Sequence, residues 1–236
     1  MSLFPLTLER ALVRRRGKVL VGPVDLRFEG RKTTVLIGPN GSGKTSLLGA
    51  MHGTVRLSSG SVTWGCALEE ARIAQTFVFQ QPIVLRRSVR ENILYPLKIR
   101  GIAKTEASKE AEIWAERMGL ADMLERSALR LSGGERQKLA LARALIVKPE
   151  LVFLDEPCAA LDGRATKLIE DVLAEAKAGG TSLILSTHDM GQARRLADDV
   201  IFLLHGTVHE HGPAETFFKD PKTPEASAFL RGDIVE

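Results

Sequence analysis

Thr33-Thr34-Val35-Leu36-Ile37-Gly38-Pro39-Asn40-Gly41-Ser42-Gly43-Lys44-Thr45 runs from a short apolar stretch through a glycine loop into a helix predicted from Lys44 to about His52. The first five residues, β-branched and apolar, have the pattern of a buried strand. Gly38–Thr45 then matches GxxxxGK[ST]. In such a loop the glycines let the backbone curl so that successive N–H groups point at phosphate oxygens, and the helix behind adds its positive end. Gly38, Pro39, Asn40, Gly41, Ser42, Gly43, Lys44, Thr45 and Ser46 are therefore the candidate phosphate cradle. Lys44 is the candidate for the β- and γ-phosphates, and the Thr45 hydroxyl for Mg2+. The alternative is a glycine-rich turn without a ligand; the strand before and the helix after speak against it.

Further along, Leu151-Val152-Phe153-Leu154 reads as a second buried strand ending in Asp155-Glu156-Pro157. Asp155 at its tip can hold Mg2+ through water. Glu156 has no such duty and can polarise an attacking water as a general base. Taken alone, an acidic pair after a strand is more often a solvated loop; the cradle upstream reverses that.

The surrounding pattern alternates strands with helices. Thr76–Phe79, Ser182–Ser186 and Val200–Leu204 read as strands, and Asp189–Ala197 as a helix. Gly163–Ala178 reads as an amphipathic helix with Ala165, Leu168, Ile169, Val172 and Leu173 on one face. Leu3–Val13 and Val19–Phe28 predict an antiparallel unit around a basic turn, Arg14-Arg15-Arg16-Gly17-Lys18. Between residues 85 and 148 only helical patterns occur, near Ser88–Ile99, Thr105–Met118 and Gly133–Val147. His205–His211 alternates like a hairpin, and the last twenty residues read as short helices broken by Pro221 and Pro224. The fold class is α/β: a mainly parallel sheet with an N-terminal antiparallel β subdomain and a helical insertion. One domain is expected over 1–236. Residues 1–84 and 149–212 form its core, 85–148 a helical subdomain and 213–236 a helical tail. Ligands of such sheets bind beyond the carboxyl ends of the strands, where both motifs fall.

Composition bounds the rest. Hydrophobic residues make up 44% and charged residues 26%, which excludes a disordered or collagen-like chain. The uncharged run Ile73–Leu85 is too short for a membrane span. No apolar run precedes Glu9, Arg10 and Arg14, so no secretory signal is expected. A net charge of +4 with only 5% aromatics argues against nucleic acid as a partner. Cys66 and Cys158 lack a ligand spacing and read as reduced thiols. His205, His209 and His211 could bring two rings to one face, but no third ligand type accompanies them. Trp64, Trp114 and Met118 read as packing residues, and Phe217, Phe218 and Phe229 as either core caps or a docking face.

Leu131-Ser132-Gly133-Gly134-Glu135-Arg136-Gln137 adds a second glycine signal. Ser132 and Glu135 make an S-x-x-E capping box. Gly133 and Gly134 keep the first turn bare, so that backbone N–H groups can approach an anion. With this stretch 23 residues ahead of Asp155, the sequence resembles the ATP-binding cassette ATPases from about Leu6 to about Gly212.

That resemblance implies further roles. Val78-Phe79-Gln80-Gln81-Pro82 is similar to the Q-loop, with Gln80 sensing Mg2+ and the attacking water. Ala160-Leu161-Asp162 is similar to the D-loop, with Asp162 at a subunit interface. Ser186-Thr187-His188-Asp189 is similar to the switch, with His188 on the γ-phosphate. The family binds ATP and Mg2+ between two chains set head to tail, the Lys44 cradle of one facing Ser132, Gly133 and Gly134 of the other. It usually stacks an aromatic residue on adenine ahead of the glycine loop; Arg16 stands there instead, and a guanidinium can stack on a base. A lone cassette implies separate transmembrane permease subunits, with this chain cytoplasmic and peripheral on the inner face of the cell membrane, and, indirectly, an extracytoplasmic solute-binding protein. Gln80–Ile93 is similar to importer cassettes. Leu85-Arg86-Arg87-Ser88-Val89 and Ser186–Asp198 look most like oxyanion systems of the tungstate type, with phosphate, amino-acid and vitamin importers, or a non-transport ATPase of the same family, as alternatives.

Overall fold

Alternation along the central strand divides the core in two. All five side chains of Thr33–Ile37 are buried. Val35 and Ile37 join one apolar cluster and Leu36 the other, as the two-residue period of a strand requires. The computed structural model describes residues 2–159 and 161–235. In chain order its elements are β1 (Leu6–Arg15), β2 (Lys18–Phe28), β3 (Thr33–Ile37), α1 (Lys44–His52), β4 (Ser59–Thr63), α2 (Leu68–Ala74) and β5 (Gln75–Val78). Then come α3 (Val89–Ile99), α4 (Lys104–Arg117), α5 (Gly133–Leu145), β6 (Leu151–Asp155), α6 (Gly163–Ala178) and β7 (Ser182–Ser186). The chain continues through α7 (Met190–Leu196), β8 (Asp199–Leu204), β9 (Thr207–Pro213), α8 (Ala214–Lys219) and α9 (Pro224–Arg231).

The main sheet has the order β5-β6-β7-β3-β8-β9, parallel except for β9. Parallel strands put the ends of β3, β5, β6 and β7 on one side, where the loops bearing Lys44, Gln80, Glu156 and His188 emerge. A separate antiparallel sheet, β2-β1-β4, packs with α1 over Leu36, Phe153, Ile184 and Ile201. On the other face, α3, α4, α5 and α6 close over Val35, Val152, Leu154 and Phe202. Phe153 is fully buried, and such a side chain contributes about 1.5–3 kcal/mol on burial. The antiparallel sheet is tied to the glycine loop through the β8–β9 turn. Gly22 N donates to Gly206 O at 2.7 Å, and Gly206 N donates to Ser42 O at 3.0 Å.

Helix starts follow the local chemistry. Ser88 with Glu91, and Ser132 with Glu135, form complete capping boxes, and Asp162 caps α6 through a bond from Ala165 N. Several expectations shift. β1 continues through Arg14 and Arg15, so the turn is only Arg16-Gly17, with φ of 50° and 80°; a two-residue turn of this hand matches strand twist. The insertion is helical as expected, apart from an isolated bridge between Ser88 and Ser127. Helix α5 stops at Leu145, short of the expected Val147. Pro224 starts α9 rather than breaking it, because proline fits a first helical turn. Phe217 is buried and Phe229 packs 5.2 Å from the Phe202 ring, so the tail caps the core. His209 pairs with Glu225 of α9 at 3.0 Å, and no cluster of metal-ligating side chains occurs among the described residues. No described helix is long and apolar enough to cross a membrane.

Candidate active site

The glycine loop is fixed by two close approaches. At Gly38, with φ 143°, a Cβ would stand 2.1 Å from the Leu203 carbonyl oxygen. At Gly43, with φ 105°, it would stand 2.6 Å from the Leu20 carbonyl oxygen. Only glycine fits either position. Gly43 is also the N-cap of α1 and supplies no side-chain acceptor, so the first-turn N–H groups lack a side-chain cap. That leaves them for an anion. Lys44 is nearly buried and its ammonium donates to Gly38 O at 2.8 Å and Pro39 O at 3.0 Å. Burial pulls its pKa below the ordinary lysine value, and the nearby Glu156 and Asp155 carboxylates oppose that. A positive group held among carbonyls and short of counter-charge suits the arrival of phosphate oxygens.

Opposite the loop, two side chains converge on one oxygen of a third. Gln80 Nε2 donates to Glu156 Oε2 at 3.0 Å, and His188 Nδ1 lies 3.1 Å from the same atom. Glu156 sits at φ 46°, a left-handed conformation that costs a non-glycine residue on the order of 1 kcal/mol or more. Its N–H is held by the Ser186 hydroxyl at 3.0 Å and the Ser186 carbonyl at 3.1 Å. The same hydroxyl donates to Asp155 Oδ1 at 2.6 Å, so Ser186 fixes both carboxylate residues. Asp155 is buried behind Glu156. Thr45, Asp155 and Gln80 offer only hard oxygen donors, the chemistry Mg2+ prefers. Because Gln80 faces Glu156 with its nitrogen, its oxygen stays available.

A cleft of about 680 Å³ joins these groups; Leu20, Asn40, Gly41, Gly43, Lys44, Thr45, Ser46, Gln80, Glu156, Ala159 and His188 line it. Gly38, Pro39 and Ser42 form the back of the loop. Leu20, Ala159 and Ser186 were not anticipated from the sequence. Leu20 carried no signal, because its place depends on β2 packing against the loop. Ser186 lay inside the expected switch motif, and its role follows only from the β6–β7 pairing of Asp155 with Ser186.

Other candidates lie elsewhere. Arg16, at the tip of the β1–β2 turn, does not line the cleft. Ser132, Gly133 and Gly134 do not line it either. Their box uses the N–H of Ser132 at 2.7 Å and of Glu135 at 3.3 Å, leaving the two glycine N–H groups outside the box. The Ser132 donors hold the Glu135 carboxyl below its ordinary pKa. Gly134 packs against Leu161, where a Cβ would come within 3.0 Å of Cδ2. Asp162 caps α6, and Ala160 of the expected D-loop lies outside the described residues.

The family described as ABC transporter matches residues 21–159. Over 205 residues the chain is 42% identical to the tungstate uptake system ATP-binding protein TupC of Peptoclostridium acidaminophilum, spanning 86% of this chain and 94% of that protein. It is 37% identical over 242 residues to the phosphate import ATP-binding protein PstB 2 of Natronomonas pharaonis, spanning 93% of this chain and 84% of that protein. Among solved structures it is similar to an ATP-binding cassette captured as a dimer in a post-hydrolysis state with ADP and Pi. There the TM-score is 0.80 at 24% identity, over 89% of this chain and 98% of that one, a likeness of fold.

Proposed function

Because the chain belongs to the ABC transporter family as an ATP-hydrolysing subunit, we propose that it closes head to tail with a second copy on two ATP and so drives a separate permease. The observation behind this reading is the separation of two phosphate-binding surfaces. The cleft gathers Lys44, Gln80, Glu156 and His188, while the bare turn at Ser132–Gly134 lies outside it. One chain cannot bring both onto one nucleotide. Two chains can, each ATP lying between the Lys44 loop of one and the α5 start of the other, with Asp162 at the interface.

In this mechanism Lys44 exchanges its loop carbonyls for phosphate oxygens. Held by Thr45, Asp155 and Gln80, Mg2+ would offset charge on the phosphates. Glu156 takes a proton from the attacking water, held in place by Gln80 and His188. Loss of the γ-phosphate then loosens the interface, and α3–α5 move with Gln80.

Beside Gln80 runs an apolar groove of about 340 Å³ that includes Phe79, Pro82, Ile83, Pro96 and Ile99. Ile83 and Ile99 are 77% and 69% exposed. With this chain peripheral on the inner face of the cell membrane, a helix of the membrane permease fits this groove.

The transported substrate is proposed to be an oxyanion, tungstate first, delivered by an extracytoplasmic solute-binding protein. Support comes from the TupC relative, which exceeds the phosphate-import relative in identity. The test is the elemental content of cells with and without the chain, grown with trace tungstate and molybdate. Loss of cellular tungsten alone is expected. Unchanged tungsten overturns the substrate assignment, and a fall in phosphate uptake instead would favour the phosphate reading.

A further inference from the structure

Glu170 is a largely buried carboxylate on α6, its side chain 11% exposed, and the mechanism above gives it no task. Its two oxygens grip helix α7. Oε2 accepts from Arg195 Nε at 2.8 Å, and Oε1 accepts from Arg195 Nη2 at 2.7 Å and from Gln192 Nε2 at 3.4 Å. A two-pronged carboxylate–guanidinium pair fixes orientation as well as distance.

Both partners reach the first turn of α7. Gly191 lies one turn before Arg195, and a Cβ there would stand 3.0 Å from both Arg195 Nη1 and Asp189 Oδ1. Its bare backbone therefore lets the guanidinium fold back over the start of the helix. Gln192 is buried, and its N–H donates to Asp189 Oδ1 at 3.0 Å. Asp189 N donates to Thr187 Oγ1 at 3.0 Å, and Thr187 N donates to Leu36 O of β3 at 3.1 Å.

His188 thus sits between two anchors, β3 before it and the Glu170 grip after it. The ring itself is 57% exposed, and its hydrogen-bond partner among the described residues is Glu156. Little besides its backbone aims it.

We propose that Glu170 is a positioning residue for ATP hydrolysis: through Arg195 and Gln192 it sets the first turn of α7, and so the aim of His188 at Glu156. The proposal rests on the reading of His188 as part of the hydrolytic site. It also links two parts of that reading, since the same helix α6 begins at Asp162 and carries Glu170.

The test uses the full chain and three readings: steady-state ATPase, equilibrium ATP binding, and NMR of the five histidine rings. Glu170→Ala should lower kcat roughly 10- to 100-fold, the scale set by misplacing a reacting group by about 1 Å. KM and ATP affinity should stay within about twofold, because no cradle residue is touched. Arg195→Ala should do the same, and the double variant should lose no more than the worse single one, since both act through one contact. The His188 ring signals should move while those of His205, His209 and His211 stay. A kcat within about threefold of wild type in both single variants overturns the proposal, as does a kcat loss with unmoved His188 signals. If Glu170→Ala does not fold, Glu170→Gln and the surface variant Arg195→Ala decide by the same readings. His188→Ala separates the levels: full activity there overturns the site reading itself, whereas a slow His188→Ala beside an active Glu170→Ala overturns only the positioning role.

Discussion

Replacing Glu156 by glutamine isolates the proton-accepting step. The two side chains share a shape, so the strained φ of 46° and the bond from Glu156 N to Ser186 are left in place. What changes is basicity and one hydrogen-bond pattern. In the native chain Oε2 serves both Gln80 Nε2 at 3.0 Å and His188 Nδ1 at 3.1 Å. A carboxamide keeps one acceptor oxygen for these two neighbours and accepts no proton from water. Losing a positioned general base slows a reaction by about 10²–10⁴-fold, or about 2.7–5.4 kcal/mol of barrier at 1.36 kcal/mol per tenfold. Glu156→Gln should therefore turn over at least ~10²-fold more slowly. Lys44 and the glycine loop are untouched, so ATP should still bind, and the closed dimer should accumulate. Single-turnover release of labelled γ-phosphate measures the first effect, and sedimentation with and without Mg-ATP the second. Near-native turnover would refute the general-base assignment. Slow turnover without any ATP-dependent dimer would refute the trapped-closure argument.

Ser132→Arg should leave ATP binding to the single chain intact and abolish ATP-dependent dimerisation, because the turn it blocks lies outside the cleft; loss of binding by the monomer would show that the trans role is wrong. Purine selectivity should be weak, since among the described residues Leu20 is the only sizeable apolar side chain lining the cleft and Arg16 does not line it. ATP should be preferred over GTP by less than about a hundredfold, and Arg16→Tyr should tighten nucleotide binding if the ring reaches the base; competition binding with both nucleotides checks this. His52 is held neutral by burial, its pKa pushed down to about 4 from an ordinary 6.5. The unfolded ring protonates first as pH falls, so this contribution is intact above pH 6.5 and is lost towards pH 4, by about 3 kcal/mol at most. Denaturant melts at pH 7 and pH 4.5 should show His52→Leu losing less stability than wild type; an equal loss contradicts the assignment.

The legible part of this fold was the part in which local pattern and burial agree. Thr33–Ile37, Ser182–Ser186 and Gly163–Ala178 fall where their patterns put them: every side chain of the two strands is buried, and the helix buries Ile169, Val172 and Leu173 of its apolar face. Ser59–Thr63 carries no such signal, because an edge strand of Ser, Gly and Thr with a single apolar residue, the half-buried Val62, has no alternation to read. Leu68–Ala74 buries only Ala71, too little for a helical stripe. Among site residues, those carried by glycine loops or by strand tips were readable, since the backbone geometry they need leaves a mark in residue type. Leu20 and Ser186 were not, because they act by where β2 and β7 bring them.

The same distinction explains the two glycine signals. Gly41-Ser42-Gly43 and Ser132-Gly133-Gly134 each announce bare helix-start N–H groups, and nothing in either stretch says whether they face each other. The structure separates them. The first opens into the cleft with Glu156, and the second packs against Leu161 on the segment between Glu156 and Asp162. On the proposed reading, a chain that keeps these two helix starts apart, and packs the second against the segment that leads into α6, would hold half of each of two sites. Lys44 and Glu156 on one copy should then depend on Ser132 of another. Hydrolysis should accordingly rise with the square of protein concentration where the dimer is scarce, and mixing Glu156→Gln with Ser132→Arg chains should restore one competent site per mixed pair. Strictly first-order activity over that range, with no complementation on mixing, would place the whole reaction within one chain.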